Sequence, residues 1–202
     1  MSKVELSREE ALSILEMVGR AVKVSEPQHL TEEMTAIREP LEVSAPRFKF
    51  GSVSTHRLRS LHKPLRDCAE LAIELSRVDF AVYETLRTQR RQRELVLAKM
   101  SRTMNSKHLP DKSGYARAVD LVPVIDGKLK WDWDGCYEIA CAMDAAATQL
   151  GHAAQVRWGG AWDRVLADFG GDMSQYRAEV EAYKIRHAGS DFIDGPHFEW
   201  VE

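Results

Sequence analysis

Residues 105–123 read NSKHLPDKSGYARAVDLVP, a polar loop that runs into an apolar strand, and this change of character decides how the rest of the chain is parsed. Asn105 to Ser113 are mostly polar and turn-forming residues. From Ala118 to Ile125 apolar and β-branched residues follow one another and predict a strand. One residue breaks that strand: Asp120 stands between Val119 and Leu121. A carboxylate there is costly to bury unless it is paired, hydrogen-bonded or bound to a metal. The segment alone leaves two readings level, a structural salt bridge and a metal ligand. His108 carries less weight by itself, since an isolated loop histidine is usually just solvated.

Working outward, Leu65, Cys68, Leu71, Ala72 and Leu75 recur at helical spacing over Lys63–Arg77, and VDFAVYETL (78–86) reads as a strand. A polar helix is expected from Gln89 to Met100. Downstream, the pattern predicts a helix from Asp134 to Leu150 closed by Gly151, a strand over Ala154–Trp158 and a glycine-rich turn. A polar helix over Ser174–Ile185 and a last strand over His197–Val201 complete the chain. Helices and strands alternate without the βαβ regularity of a parallel sheet, so the class is α+β with a small sheet. At the other end Leu12, Ile14, Leu15, Val18 and Val22 predict a helix over 7–23, and a second short one follows Thr31. Pro40 to Pro46 reads as a linker. The main domain therefore opens near Phe48, leaving 1–47 as an N-terminal extension and 48–202 as the domain itself.

The 202 residues are 44% apolar and 29% charged, which suits one good core plus an appendage. A net charge of −3 hides a basic stretch over 51–100 between acidic flanks, so nucleic acid is not the obvious partner. No apolar run approaches the roughly eighteen residues that a membrane span needs. MSKVELSREEALSILEM carries acids where a secretory leader has a positive end and an apolar centre, which points to the cytoplasm. Cys68, Cys136 and Cys141 fit neither a CxxC pair nor a disulfide framework, and read as small buried hydrophobes.

A second cluster, FIDGPHFEW (192–200), sets Asp194 and His197 three apart around a Gly-Pro turn that leads into a strand. An imidazole and a carboxylate added to His108 and Asp120 make a two-His, one-Asp set, which leaves the fourth tetrahedral position open for water as catalytic zinc requires. Asp194 then stands ready to accept a proton from that water. Spacing alone does not bring the two clusters together.

In this order, DFAVYETLRTQRRQRELVLAKM, NSKH, ARAVDLVP, WDWDGCYEIACAMDAAATQLG, VRWGGAWD and DGPHFEW resemble the peptidases that include phage endolysins cleaving L-alanyl-D-glutamate bonds and bacterial D-alanyl-D-alanine carboxypeptidases and dipeptidases. The resemblance covers about Phe48 to Glu202. Ser-x-His, Ala-Val-Asp, Trp-Gly-Gly and Asp-x-x-His in sequence are far more specific together than any one of them. The resemblance implies a Hedgehog/D-Ala-D-Ala peptidase-like fold, a small antiparallel sheet flanked by helices, here with an extra N-terminal helical segment. It implies Zn2+ held by His108, Asp120 and His197, Asp194 as general base, and Arg87 in contact with the substrate carbonyl. Without it, Arg87 reads as one more solvated arginine among Arg90, Arg91 and Arg93. Ser106 orients a ligand, touches substrate, or simply caps its loop. Trp158 and Trp162, beside Gly159 and Gly160, match the cleft wall, although either position suits a core tryptophan. Glu199 shares a strand face with His197 and has no assigned role.

Three departures mark this chain. The loop between His108 and Asp120 is longer than the family's and has Ala116 where a glycine is common. WGGAW replaces Trp-Gly-Gly-Asp-Trp, and a polar helical insertion precedes Asp194, beside the cleft. Asp111 and Lys112, in the lengthened loop, are expected to be exposed and dispensable. The expected activity is that of an endolysin-type endopeptidase on the stem peptide of peptidoglycan, monomeric, without nucleic acid or membrane insertion, made in the host cytoplasm and acting on the wall after release. The alternatives are a D-alanyl-D-alanine carboxypeptidase or dipeptidase with the same metal site, and a silent wall-binding module.

Overall fold

The computed structural model describes residues 47–188 and 192–201; the helices expected over 7–23 and after Thr31 and the linker from Pro40 to Pro46 lie outside the described residues. The chain divides into units Met1–Val43 and Ser44–Glu202, and all that follows concerns the second. Its helices are α1 (Ser52–Leu58), α2 (Lys63–Leu75), α3 (Gln89–Leu97), α4 (Trp133–Gln149) and α5 (Met173–Arg186). Its strands are β1 (Phe80–Glu84), β2 (Ala118–Ile125), β3 (Lys128–Leu129), β4 (Val156–Trp158) and β5 (His197–Trp200).

Local chemistry explains most of the boundaries. Pro64 sits in the first turn of α2, where its missing N–H costs nothing, and Leu65, Cys68, Ala69, Ala72 and Ile73 bury one face of that helix. Thr88 caps α3 by accepting from the Arg91 N–H at 3.2 Å, and Asp132 caps α4 by accepting from the Gly135 N–H at 2.8 Å. Asp126-Gly127, both with positive φ, make a two-residue hairpin that pairs β3 with β2. That dipeptide is a strong hairpin signal, yet a two-residue strand is too short to register as periodicity. Helix α1 escaped notice for a similar reason, since only Ser54 and Leu58 in it are buried. The expected strand at Ala154 starts two residues later, because Ala153–Gln155 forms a 3-10 turn.

The main sheet runs β1-β2-β5-β4 with every pair antiparallel. Alternation divides its faces. Val82, Val119, Leu121, Phe198 and Trp158 are fully or almost fully buried, and they belong to one core with residues of α2 and α4. Asp120, His197, Glu199 and Arg157 share the other face through the pairs Asp120↔His197 and Arg157↔Glu199. A bulge between Val82 and Glu84 shifts the register of β1, so that Glu84 lies opposite Asp120 instead of following Val82 into the core. All three cysteines are free, and burial pushes the Cys68 and Cys136 thiols up to about 12. Among the described residues no helix is long and apolar enough to cross a membrane.

Candidate active site

The residues singled out on β2, on β5 and in the loop before β2 converge on the polar face of the sheet. His108 Nε2 lies 3.2 Å from Asp120 Oδ1 and 3.2 Å from His197 Nδ1, and the third side of the triangle, His197 Nδ1 to Asp120 Oδ1, is 3.1 Å. The far nitrogen of each imidazole is also engaged. His108 Nδ1 faces the Thr85 carbonyl at 2.7 Å, and His197 Nε2 faces Glu199 Oε2 at 3.2 Å. Both partners are acceptors, so those ring nitrogens carry the protons and donate. His108 Nε2, His197 Nδ1 and the Asp120 oxygen are left as three acceptors aimed at one another. Only a proton or a cation at their centre makes the arrangement favourable.

Geometry favours a cation. In a tetrahedral site with bonds of about 2.0–2.1 Å, ligand atoms stand about 3.3 Å apart, close to the sides of this triangle. Imidazole held by a carbonyl or carboxylate on its other nitrogen is also the usual outer support of a metal-bound histidine. The electrostatics run the same way. Burial alone opposes charge on both Asp120 and His197, yet their mutual attraction, with His108 and Glu199, holds the Asp120 carboxyl well below its ordinary range and lifts His197 to about 10. Surroundings that retain a proton so firmly also attract a metal ion.

Around the triangle lies a polar shell, only part of which the sequence marks. Glu199 is buried between His197 and Arg157, whose Nε donates to it at 3.0 Å, and the two contacts overcome burial to bring its carboxyl to about 2. Arg87 is buried as well, not solvated. Its Nη2 donates to Glu84 and lies 3.8 Å from Asp120 Oδ2, while its Nη1 donates to Gln92 Oε1 at 2.7 Å. Gln92, fully buried in α3, passes its own amide protons to Ser101 Oγ and the Thr103 carbonyl, which ties the following loop to the arginine. Among the described residues Arg87 Nε has no hydrogen-bond partner. Two features of this shell have no sequence signature. A bulge aims Glu84, and Thr85 acts through a carbonyl that any residue would supply.

Asp194 reaches the same cleft on a short, tightly held turn. The Asp194 N–H donates to the Gly159 carbonyl at 2.9 Å, the Gly159 N–H donates to the His197 carbonyl at 2.8 Å, and the His197 N–H donates to the Asp194 carbonyl at 3.1 Å. A Cβ on Gly159 would stand 2.4 Å from the Asp194 carbonyl oxygen, so the approach needs glycine. Burial, then the Asp120 charge, raises the Asp194 carboxyl above its ordinary range, and its side chain has no hydrogen-bond partner among the described residues. A carboxylate so placed is a good proton acceptor.

The two tryptophans part company. Trp158 is a core residue with its ring centroid 5.5 Å from that of Tyr176, and its Nε1 donates to the Gly195 carbonyl at 2.7 Å, which braces the turn from below. Trp162 is a wall residue. Its ring lies 5.0 Å from that of His197, and its Nε1 donates to the Phe192 carbonyl at 2.9 Å. Ser106 lines the cleft and caps the loop, accepting from the His108 N–H at 3.2 Å. The cleft has a volume of about 510 Å³ and includes Arg87, His108, Asp120, Asp194 and His197.

The model of the phage L-alanyl-D-glutamate peptidase family matches residues 46–201. The chain belongs to that family. It is 28% identical over 120 residues to the L-alanyl-D-glutamate peptidase of Escherichia phage T5, an overlap of 57% of this chain and 82% of the relative. Among solved structures it resembles the L-Ala D-Glu endopeptidase ChiX of Serratia marcescens, at 31% identity and a TM-score of 0.56, over 81% of this chain and 96% of that one.

The two segments expected to be insertions are both built into the fold. Lys112 is exposed as expected, but Asp111 is not a bystander. Its Oδ1 accepts from the Ser113 N–H at 2.7 Å and from the Tyr115 N–H at 3.3 Å, and its Oδ2 accepts from Arg117 Nε at 2.9 Å. Asp111 thus folds its loop and stands outside the triangle of His108, Asp120 and His197. Helix α5 buries Tyr176 and Val180 in the core and presents Tyr183 to the cleft.

Proposed function

We propose that this peptidoglycan peptidase is zinc-dependent and hydrolyses the L-alanyl-D-glutamate bond of the stem peptide, with His108, Asp120 and His197 as ligands, Asp194 as general base and Arg87 as the electrostatic partner of the substrate carbonyl. The observation that carries it is the triangle of three mutually facing acceptors in a cleft that also holds an unpartnered carboxylate, within the span matched by the family. Two imidazoles and one carboxylate in a tetrahedral arrangement suit zinc.

When bound, zinc lowers the pKa of water toward about 7 and polarises a peptide carbonyl. The rest of the work belongs to the chain. Asp194 accepts the proton of the attacking water and returns it to the departing amine, so one carboxylate serves as base and then as acid. Arg87 faces the oxygen on which negative charge develops, and an unpartnered Nε–H gives it a donor to spare. A single such donor is typically worth about 3 kcal/mol. Glu84 and Gln92 hold the guanidinium in place, and Asp120 keeps it close to the metal ligands. Trp162 and the loop around Ser106 wall off the reacting bond from bulk water.

Digestion of purified peptidoglycan, with new amino termini identified by mass spectrometry, tests the reading. Newly freed D-glutamate amines are expected. Release of D-alanine from a pentapeptide with no cut after L-alanine would replace it with a carboxypeptidase. Glu199→Gln is expected to keep the fold and weaken zinc by about 10–100-fold, the usual cost of losing the carboxylate behind a ligand histidine. A competition titration against a zinc-binding dye measures this, and unchanged affinity would remove Glu199 from the metal's support.

We also propose that 48–202 is the peptidase domain and 1–47 an extension outside it, a division that the family match from residue 46 supports. Deletion of 1–46 should then leave peptidase activity and wall binding intact. Loss of wall binding with stability unchanged would make the extension a targeting element instead.

A further inference from the structure

Two large aromatic side chains at the rim of the cleft are not required by the fold. Tyr83 is the extra residue of the β1 bulge and Trp131 follows β3. They are 39% and 61% exposed, and their rings meet edge to face at 5.0 Å and 82°. Both line the cleft that contains His108, Asp120 and His197. Among the described residues neither the Tyr83 hydroxyl nor the Trp131 indole N–H has a hydrogen-bond partner. An exposed aromatic pair with unused polar tips, continuous with a catalytic cleft, marks a contact surface.

The other large aromatic side chains with polar tips in the cleft are less free to take a ligand: Trp162 commits its Nε1 to the Phe192 carbonyl at 2.9 Å, and Tyr183 is only 5% exposed. The substrate carries a sugar on one side of its scissile bond. Beyond the D-glutamate side of the bond come free carboxylates; on the other side a single alanine separates the bond from the muramic acid of the glycan strand. One residue spans at most about 3.6 Å and the lactyl ether adds only a few bonds, so the sugar ring lies near the reacting bond. Tyr83 is the chain neighbour of Glu84, the residue that pairs across the sheet with Asp120.

We propose that Tyr83 and Trp131 form a sugar subsite that takes the N-acetylmuramoyl residue of the glycan strand, its C–H face on the aromatic rings and its hydroxyl and acetamido groups on the free O–H and N–H tips. The inference rests on the L-alanyl-D-glutamate reading for its place in the cleft, and it makes the enzyme selective for stem peptides still attached to glycan.

The test compares a disaccharide-tetrapeptide with the same tetrapeptide lacking sugar, for the full chain and for Trp131→Ala, Trp131→Phe and Tyr83→Ala. Wild type should prefer the sugar-bearing substrate in kcat/KM, and each alanine variant should cut that preference by about tenfold, on the scale of one good aromatic contact. Trp131→Phe should keep most of it. An equal loss on both substrates, or no loss on either, would overturn the subsite. A second readout is independent of the bond cleaved: the peptide-free disaccharide N-acetylglucosaminyl-N-acetylmuramic acid should shift the indole N–H resonance that disappears in Trp131→Phe. If that shift occurs while a different bond is cut, only the bond assignment fails. If the L-alanyl bond is cut and the resonance does not move, only the sugar subsite fails.

Discussion

Replacing His108 with alanine is expected to remove zinc and peptidase activity together. The side chain supplies one of three atoms that stand 3.1–3.2 Å apart, and it is held from behind by the Thr85 carbonyl at 2.7 Å. Two ligands do not hold zinc as three do, and the open coordination position needs the other three filled by protein. Metal analysis should fall from about one zinc per chain to well below it, and turnover should drop by on the order of 10³-fold or more, since the lost Lewis acid is worth several kcal/mol. Chelator-treated wild type should recover with added zinc, and the variant should not. Because His108 is only 2% exposed, circular dichroism and thermal melting must show the variant folded before the result counts. A folded variant that keeps both zinc and turnover would rule His108 out as a ligand.

The same site fixes the sign of the pH dependence of metal binding. His197 holds its proton up to about 10 in the metal-free protein, because burial is outweighed by hydrogen bonds to Asp120 and Glu199. A ligand nitrogen must be free of that proton. Near neutral pH, zinc binding is therefore expected to expel a proton from His197 and to weaken as the solution becomes more acidic.

How far the sequence could be read follows from where its signals reside. Asp120 was legible because a lone carboxylate in an apolar strand is chemically conspicuous, and the strand alternation that puts it on the face opposite Val119 is a local property. His197 and Asp194 were legible from a Gly-Pro turn followed by a strand. That the two segments meet is a matter of pairing β2 with β5, across 77 residues between Asp120 and His197, and only the resemblance to a family supplied it. The shell behind the ligands was hidden. Glu84 is aimed by a one-residue bulge, Gln92 looks like any polar residue of a charged helix, and Thr85 contributes a backbone oxygen. Arg87 reads as solvated because its neighbours Arg90, Arg91 and Arg93 are; what holds it inside is its pairing with Glu84 and Gln92 and its approach to Asp120. Trp158 and Trp162 could not be separated by composition, since one lies within a strand on the core side and the other four residues later on the cleft side. Asp111 is less exposed than its setting suggests: a Pro-Asp-Lys-Ser-Gly stretch reads as a solvated turn, and the carboxylate that organises such a turn is itself part of the structure.

Asp194→Asn is expected to leave zinc in place and cost about 10²–10⁴-fold in turnover, the range for loss of a general base. Asp194 is three residues from His197 and, on sequence grounds alone, a candidate fourth ligand that would occupy the position water needs. Two observations argue for the base. The triangle of His108, Asp120 and His197 is complete without it, and among the described residues it is the one group of three or more such side chains that could hold a metal ion. The Asp194 carboxyl, raised by burial and by the charge of Asp120, has the greater proton affinity that a base requires. Asparagine keeps the shape of the turn, whose hydrogen bonds to Gly159 and His197 run through the backbone, so the substitution tests proton transfer with little disturbance of the fold. The loss should fall on kcat with KM little changed, because the proton moves only as the transition state is reached. Metal content measured on the same sample separates the outcomes: a variant without zinc would make Asp194 a ligand, and one with zinc and full turnover would require a different base. Glu199 is excluded from that part by its geometry, since both of its oxygens are committed to His197 and Arg157 on the far side of the imidazole from the ligand triangle.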